Sequence, residues 1–263
     1  MAYTKEDLGR AGFVLYQNED GFRFGTDSVL LAWFASSFVR KNRKSPPRFL
    51  ELGAGCGPVS MLVAARVPDA LIDCIEIKPG AFEALRRNID ANSLTGRVRA
   101  FNADIRDLPP EVRQLQYDVV MFNPPFFSDT RGPKCRREGS DGERLSGRFE
   151  ENGTADDFLS AAASRVVQSS GHIVMIMHGL RLPDTLRSFE QHRVKPVALM
   201  NIHPLPDRAA SSFLLSGKKG GSGADMKILP PLIISERTGV QNEIVNTEKI
   251  TEIYEEEHRD CFI

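Results

Sequence analysis

The sequence predicts an α/β fold in which a mostly parallel sheet of seven strands is covered by helices on both faces. From residue 48 onward, short apolar runs typical of strands alternate with segments whose apolar residues recur at helical spacing. Glycines and polar residues follow several of these strands, at the positions where such sheets bind ligands. The 263 residues are 41% hydrophobic and 26% charged, which is typical of a globular protein.

The first half of this alternation contains four predicted strands and two predicted helices. Each strand is a short apolar run, and the four cover residues 48–52, 70–76, 98–102 and 118–122. The first strand runs directly into glycines, and residues 58–66 then form a helix. The helix predicted over residues 79–92 begins with a proline and repeats apolar residues along one face.

The second half supplies two helices and the last three strands. The helices cover residues 156–167 and 182–191, and the strands cover residues 172–177, 197–202 and 211–216. A short proline-containing segment joins the last two strands, so we expect this pair to be antiparallel. Helical crossovers make the remaining strands parallel.

Three segments lie outside the predicted core of residues 48–217, namely residues 1–47, 127–153 and 218–263. The first is an N-terminal extension with a helix over residues 26–34. The second is a long charged connection, and loops of this length are usually functional or disordered. The third is a C-terminal extension whose acidic end, residues 252–260, we expect to be solvated.

Composition and charge argue against several classes of protein. The net charge of −1 means that any nucleic-acid contact must come from a local basic patch. No apolar run is long enough to span a bilayer, and the N-terminus lacks the apolar core of a signal peptide, so we expect a cytoplasmic protein. The four cysteines are scattered and the five histidines form no metal-binding group, so we expect free thiols and no metal site.

A glycine-rich loop follows the first predicted strand, in the sequence Glu51-Leu52-Gly53-Ala54-Gly55-Cys56-Gly57. Its alternate glycines let the backbone approach a ligand closely. The spacing does not fit the dinucleotide fingerprint, because Pro58 occupies the position of the third glycine. Glu51 would also disfavour a pyrophosphate and would suit a cation. S-adenosyl-L-methionine (SAM) carries a sulfonium and an ammonium group and no phosphate.

Two further acids follow the next strands. Glu76 can accept hydrogen bonds from both hydroxyls of a ribose, and Asp104 could reach the adenine amine of the cofactor. Each acid alone is more often a solvated loop carboxylate. Three acids at consecutive strand ends, beside a glycine loop, predict a nucleoside site at the carboxyl edge of the sheet.

The fourth predicted strand ends in Asn123-Pro124-Pro125-Phe126, on the same edge. The amine of adenine attacks poorly because its lone pair is delocalised into the ring. The side-chain oxygen of Asn123 and the carbonyl of Pro124 could accept both amine hydrogens and pull the nitrogen toward a tetrahedral geometry. The two prolines free the turn from the sheet, and Phe126 can stack on the base. The plain alternative is an Asn-Pro turn that caps a buried strand.

Together these motifs resemble the class I SAM-dependent methyltransferases, and within that class the N6-adenine group with its Asn-Pro-Pro-aromatic signature. The segment Gly25-Thr26-Asp27-Ser28-Val29-Leu30-Leu31 resembles one of the tRNA(Val) adenine-N6 methyltransferase family, which modifies the adenine beside the anticodon. The resemblance covers residues 12–130 well. It implies a Rossmann-like fold, SAM as cofactor and an RNA substrate.

The resemblance also implies roles for residues before the core. Thr26 and Asp27 would lie near the methionine end of the cofactor, so that residues 1–47 contribute to the site. The alternative is that Thr26 or Asp27 caps the N-terminus of a helix. The familiar signature often ends in tyrosine, and Phe126 keeps the stacking surface without the phenol.

The signature gives the reaction type and leaves the substrate open. It also appears in protein-glutamine methyltransferases, and an RNA guanine-N2 methyltransferase or a non-catalytic SAM-binding module are further alternatives. Residues 40–48 carry five cations and no acid, and residues 129–148 carry six cations and four acids. If both segments flank the site, they could bind RNA phosphates, although each alone is more often solvated. We therefore expect methyl transfer to N6 of an adenine in structured RNA, with tRNA favoured.

Overall fold

The fold is built around one mixed sheet with helices on both faces, as the sequence predicts. The computed structural model describes residues 3–18, 24–39, 43–124, 153–220, 225–238 and 243–255. Within these ranges no helix is both long and apolar enough to cross a membrane.

The described strands and helices follow one another along the chain. The strands are β1 (Tyr3–Asp7), β2 (Val14–Asn18), β3 (Arg48–Leu52), β4 (Leu71–Glu76), β5 (Val98–Asn102), β6 (Val119–Phe122), β7 (His172–His178), β8 (Val194–His203), β9 (Ser212–Lys219), β10 (Lys227–Ile228), β11 (Leu232–Ile233), β12 (Ser235–Arg237) and β13 (Ile244–Asn246). The helices are α1 (Thr26–Ser37), α2 (Pro58–Arg66), α3 (Pro79–Ala91), α4 (Pro110–Arg113), α5 (Ala155–Arg165), α6 (Leu182–Gln191) and α7 (Glu248–Glu255).

Seven strands of four to ten residues form most of the sheet, in the order β8-β9-β7-β6-β3-β4-β5. Strand β9 is antiparallel to both of its neighbours, and the other six run in parallel. The predicted number, the mostly parallel arrangement and the antiparallel last pair are confirmed. The two-residue strands β10 and β11 add parallel pairing to β8 and make the complete sheet nine-stranded.

Both faces of the sheet are buried, which explains why its strands are continuous apolar runs. Alternate residues of β3 enter different hydrophobic clusters, with Phe49 on one face and Leu50 on the other. Helices α1, α2 and α3 cover the first face, and α7 packs against α1. Helices α4, α5 and α6 cover the second face.

The terminal segments contain structure that the sequence did not predict. Strands β1 and β2 form an antiparallel hairpin that packs on α3. The prediction that the acidic end from residue 252 is simply solvated was wrong for its first part, because Ile253 of α7 is only 2% exposed. Residues 256–260 lie outside the described part of the chain. The division into two extensions and a core stays a prediction.

Strand β3 lies at the point where the strand order reverses, between β4 on one side and β6 on the other. Ligands bind in α/β sheets in the crevice at this point, beyond the carboxyl ends of the strands. Leu52 is paired with Phe122 across β3 and β6. The glycine loop and Asn123 therefore leave the sheet side by side, from strands about 4.8 Å apart.

Candidate cofactor and acceptor site

The glycine loop has a backbone that requires glycine. The φ angles of Gly53, Gly55 and Gly57 are 68°, 58° and 90°, all in the left-handed region. The amide of Ala54 donates to the carbonyl of Ile75 (2.9 Å), which holds the loop against β4. Gly57 is the N-cap of α2, so Pro58 occupies the first helical position, where its missing amide hydrogen costs nothing.

The three glycines differ in the space around them. A Cβ on Gly53 would lie 2.9 Å from Cε1 of Phe158, and one on Gly57 would collide with Cδ1 of Leu85. A Cβ on Gly55 meets no described atom within 4 Å. Gly53 and Gly57 are thus required by packing, whereas Gly55 faces open space that a ligand can fill.

Glu51 is buried beneath the loop, and its carboxylate is already hydrogen-bonded. Its Oε2 accepts from the backbone amide of Ser60 (3.0 Å) and from the Ser60 hydroxyl. Burial raises the pKa of Glu51 to about 8, because it disfavours the ionised form. Ser60 was not singled out in the sequence analysis, although it is the third residue of the helix that follows the loop. A cation beside Glu51 would favour the ionised form, so a role toward the cofactor's cationic groups stays a prediction.

Glu76 holds the loop from the end of β4. Its Oε2 accepts from the amide of Gly55 (2.7 Å), and its Oε1 accepts from the amide of Lys78 (2.8 Å). Each carboxylate oxygen has a second lone pair, so these bonds leave room for ribose hydroxyls. Glu76 is 6% exposed, next to the open space at Gly55.

Asp104 follows β5 on the same edge and is paired with Arg106. Both carboxylate oxygens accept from the guanidinium, at distances of 2.5–3.0 Å. These hydrogen bonds lower the pKa of Asp104, so it is ionised at neutral pH. If Asp104 also accepts from the adenine amine, as predicted, its carboxylate would bind that amine and Arg106 at the same time.

Asn123 carries a buried acceptor that has no partner. Its Oδ1 is buried and accepts no hydrogen bond from any residue that the structure describes. An unpaired buried polar atom costs about 1–3 kcal/mol, so native proteins seldom keep one without a reason. Pro124 beside it is buried. Pro125 and Phe126 lie outside the described residues, so their predicted roles remain predictions.

Thr26 and Asp27 occupy the first turn of α1. The N-cap of this helix is Gly25, without a side-chain hydrogen bond, so the alternative that Thr26 or Asp27 caps the helix was wrong. The Tyr254 hydroxyl donates to Oγ1 of Thr26 (3.3 Å). Burial raises the pKa of Asp27, and the nearby His178 partly offsets that rise.

His178 was not named as a site residue in the sequence analysis, although it ends β7, the strand next to β6. Since β6 and β7 are parallel, Asn123 after β6 and His178 at the end of β7 lie at the same edge of the sheet. The side chain of His178 accepts from the amide of Leu180 (3.3 Å). A polar residue at a fifth strand end was the signal that could have identified it.

The basic segment over residues 40–48 does not flank this site where the structure describes it. Arg43, Lys44 and Arg48 precede or begin β3, so they lie at the amino ends of the strands, on the opposite edge of the sheet. Arg43 donates to Asp118, which immediately precedes β6 (3.3 Å). The condition that both basic segments flank the site is therefore not met. Residues 40–42 and 129–148 lie outside the described part.

A cavity of about 410 Å³ lies between α5 and α6, on the second face of the sheet. Asp156, Leu159, Met175 and Thr185 are among the residues that line it. None of the residues predicted for cofactor or acceptor binding lines this cavity. This cavity is therefore separate from the candidate site at the strand ends, which we identify by the backbone of the glycine loop and by its polar side chains.

Comparison with known proteins identifies a matching family model and several relatives of this chain. Residues 29–134 match the family model of the methyltransferase small domain. A tRNA1(Val) (adenine(37)-N6)-methyltransferase of Porphyromonas gingivalis is 27% identical over 230 residues, which cover 86% of this chain and 87% of the relative. A protein of the same name from Yersinia pseudotuberculosis is 28% identical over 170 residues, which cover 64% of this chain and 62% of the relative.

A solved structure from Agrobacterium tumefaciens, described as a predicted O-methyltransferase, has the same fold. The two superpose with a TM-score of 0.64 at 23% identity, covering 87% of this chain and 95% of the other. The chain therefore has the class I methyltransferase fold, matches the methyltransferase small domain over residues 29–134, and resembles the tRNA1(Val) (adenine(37)-N6)-methyltransferases.

Proposed function

We propose that this protein transfers a methyl group from SAM to the exocyclic N6 of an adenine in structured RNA, with tRNA as the favoured substrate. One observation supports a planar amine as the methyl acceptor. Oδ1 of Asn123 is a buried hydrogen-bond acceptor without a partner in the described residues. An NH₂ group that donates to it would remove the cost of that unpaired atom. The names of the P. gingivalis and Y. pseudotuberculosis relatives support adenine in tRNA.

The residues at the strand ends fit SAM. The open space at Gly55 lies beside the Glu76 carboxylate, which would hold the ribose hydroxyls. Asp104 would face the adenine of the cofactor, and Glu51, Thr26 and Asp27 would lie toward its methionine end. When bound, SAM supplies an electrophilic methyl group on a sulfonium.

Asn123 and Pro124 would act on the acceptor. Their oxygens would accept the two amine hydrogens of the target adenine and favour the pyramidal nitrogen of the transition state over the planar ground state. Glu51 lies in β3 and Asn123 follows the neighbouring β6, so donor and acceptor would meet at one edge of the sheet. The nitrogen would attack the methyl group in line, opposite the sulfonium. The target base would leave its stack, with Phe126 against its face.

No strong base is required of the protein. The attacking nitrogen becomes acidic once it carries the methyl group, and it can lose its proton to water. Asn123 does not titrate. We therefore expect turnover to depend on pH through binding and folding rather than through a general base at the amine.

The substrate class is tested by labelling. The protein is incubated with methyl-labelled SAM and, separately, with total tRNA, ribosomal RNA or release-factor protein, and the products are digested to single units. We expect label in N6-methyladenosine from tRNA. Label confined to glutamine, or to guanosine, would overturn the proposal.

The role of Asn123 is tested by Asn123→Ala. This variant should bind SAM within about tenfold of the wild type, since its side chain is assigned to the acceptor, while turnover falls by about 100-fold or more. Asn201→Ala, on β8, serves as a control for the loss of an amide elsewhere in the sheet. Unchanged turnover in Asn123→Ala would remove Asn123 from the mechanism, and SAM binding without turnover in the wild type would favour a non-catalytic module.

A further inference from the structure

Asn88 is a fully buried side chain on α3, and it has no role in the proposed reaction. Its Nδ2 donates to the carbonyl of Cys56 in the glycine loop (2.8 Å) and to the carbonyl of Tyr16 in β2 (2.9 Å). Its Oδ1 accepts from the amide of Tyr16 (2.7 Å). One side chain thus joins the glycine loop to the N-terminal hairpin, two segments that are about 40 residues apart in the sequence.

Asn92, one helical turn later, makes a similar connection to the hairpin. Its Oδ1 accepts from the amide of Val14 and its Nδ2 donates to the carbonyl of Val14, both at 2.8 Å. Four residues rise about 6 Å along a helix, and two residues span about 6.6 Å along a strand, so the two amides match alternate residues of β2. Asn92 makes no described hydrogen bond to the glycine loop, and this difference separates the two side chains.

The hairpin in turn leads toward α1. The buried side chain of Gln17 accepts from the amide of Phe24 (2.7 Å), two residues before Thr26. The glycine loop, the hairpin and the start of α1 are therefore connected by side-chain amides that are buried or nearly so. If β2 moved away from α3, the hydrogen bonds between Tyr16 and Asn88 would break, and Asn88 is the side chain that also binds the carbonyl of Cys56.

We propose that Asn88 is a positioning residue for the cofactor, which fixes the glycine loop and couples its conformation to the N-terminal hairpin. This inference rests on the proposed use of SAM at the open space beside Gly55. Cys56 lies between Gly55 and Gly57, so the bond to its carbonyl fixes the peptide that directly follows the residue at the open space. Asn92 bonds to the hairpin, to the carbonyl of Asn88 in its own helix and to Sδ of Met61 in α2, and to no described atom of the glycine loop.

The test compares Asn88→Asp with Asn92→Asp. Each variant keeps an acceptor for the strand amide and loses the donor. Asn88 is fully buried and Asn92 is half-buried, so the carboxylate at position 88 costs more folding stability. Only Asn88→Asp also loses the bond to the glycine loop. Arg87 contacts the rings of Tyr3 and Tyr16, at 4.8 and 4.3 Å from their centroids, and helps to retain the hairpin in both variants.

We expect both variants to melt at reduced temperatures, with Asn88→Asp the lower of the two. At a temperature where both are folded, Asn88→Asp alone should raise the dissociation constant and the KM for SAM by about tenfold. Its kcat at saturating SAM should stay within about twofold of the wild type, because Asn88 does not touch the acceptor. Equal SAM affinity in the two folded variants would overturn the inference. Failure of the wild type itself to bind SAM would instead refute the proposed function.

Amide hydrogen exchange on the wild-type protein provides a measurement that needs no variant. Coupling between sites is reciprocal, so SAM bound at the glycine loop should slow exchange at the Tyr16 amide, which bonds to Asn88. The Val14 amide, which bonds to Asn92, should be protected less. Equal protection of the two amides, or none at either, would contradict the coupling.

Discussion

Glu51 shows how a buried residue changes the behaviour expected from its type. In the folded chain its pKa is about 8, compared with 4.5 for an unperturbed group. Between these values the folded protein holds a proton that the unfolded chain has lost. The free energy of unfolding therefore falls as pH rises from 4.5 to 8, because the unfolded state binds fewer protons.

Glu51→Gln should remove this contribution. The amide oxygen still accepts from Ser60, so the variant keeps the hydrogen bond and loses the titration. We expect the decline of unfolding free energy between pH 5 and 8 to be smaller by up to about 1 kcal/mol per pH unit, measured by urea denaturation at several pH values. Glu83→Gln, at an exposed position of α3, is the matched control. Parallel pH profiles for Glu51→Gln and the wild type would show that Glu51 does not titrate in this range.

Alanine variants at Gly57 and Gly55 distinguish a glycine needed for packing from one needed for ligand binding. Gly57→Ala should destabilise the fold by about 2–4 kcal/mol, through the left-handed φ and the collision with Leu85. Gly55→Ala should cost only about 1–2 kcal/mol of folding stability, because its Cβ meets no described atom. It should nevertheless weaken SAM binding at least tenfold in calorimetry, since that space is assigned to the cofactor. Unchanged affinity in Gly55→Ala would show that the ligand lies elsewhere.

Among the helices, α7 is buried against the core, which the acidic composition of the C-terminal segment did not predict. Its acidic residues suggest a solvated end, yet Ile250 and Ile253 are buried against α1. Arg10 and Arg66 both donate to the carbonyl of Ile253, near the end of this helix. Cations stabilise helix C-termini, so these arginines help to fix α7 in place.

Ile253→Ala should therefore be costly. Loss of a buried isoleucine side chain removes about 2–4 kcal/mol of folding stability, which thermal or urea unfolding measures directly. Ile244→Ala, at a position that is 60% exposed, should change stability by less than about 0.5 kcal/mol. Similar small effects in both variants would mean that α7 contributes little to the fold.

The elements that the sequence predicted are those with strong periodic patterns. Strand β3 and helices α2 and α6 were predicted with their observed bounds, because continuous apolar runs and helical periodicity mark them. Strand β8 starts at Val194, three residues earlier than predicted, because an irregularity between Pro196 and Ala198 lets pairing continue past the proline. The two-residue strands have no pattern of their own and depend on pairing with β8.

The site was predictable where residues leave strands and unpredictable where side chains meet across the fold. Glu51, Glu76 and Asn123 could be placed at one edge because parallel strands end together. The partners Ser60 and Asn88 could not be identified, since a serine in a first helical turn and an asparagine in a helix are common. Their roles depend on which backbone atoms the tertiary structure brings to them.

For the whole molecule, the distribution of charge indicates where the proposed RNA substrate would bind. The net charge of −1 provides no general attraction, and the described part of residues 40–48 lies on the edge opposite Asn123. Contacts to phosphates should then come from the basic residues at 129–148, which follow Asn123 in the chain.

Lys44→Ala should change the KM for tRNA by less than about twofold, because Lys44 is exposed at the far edge of the sheet. The double variant Arg136→Ala and Arg137→Ala should raise that KM several-fold with little effect on SAM affinity. Steady-state kinetics with varied tRNA at constant salt separates the two. A large rise in KM for Lys44→Ala alone would place the RNA on the opposite edge.

The proposed reaction requires a methyl donor and a planar amine to meet where β3 and β6 end. A crystal structure of the protein with S-adenosylhomocysteine and adenosine tests it most directly. We predict the cofactor ribose at Glu76, its sulfur beside the glycine loop, and the amine of the second adenine within hydrogen-bonding distance of Oδ1 of Asn123. A cofactor bound away from Gly55, or an Asn123 side chain turned away from both ligands, would contradict the account.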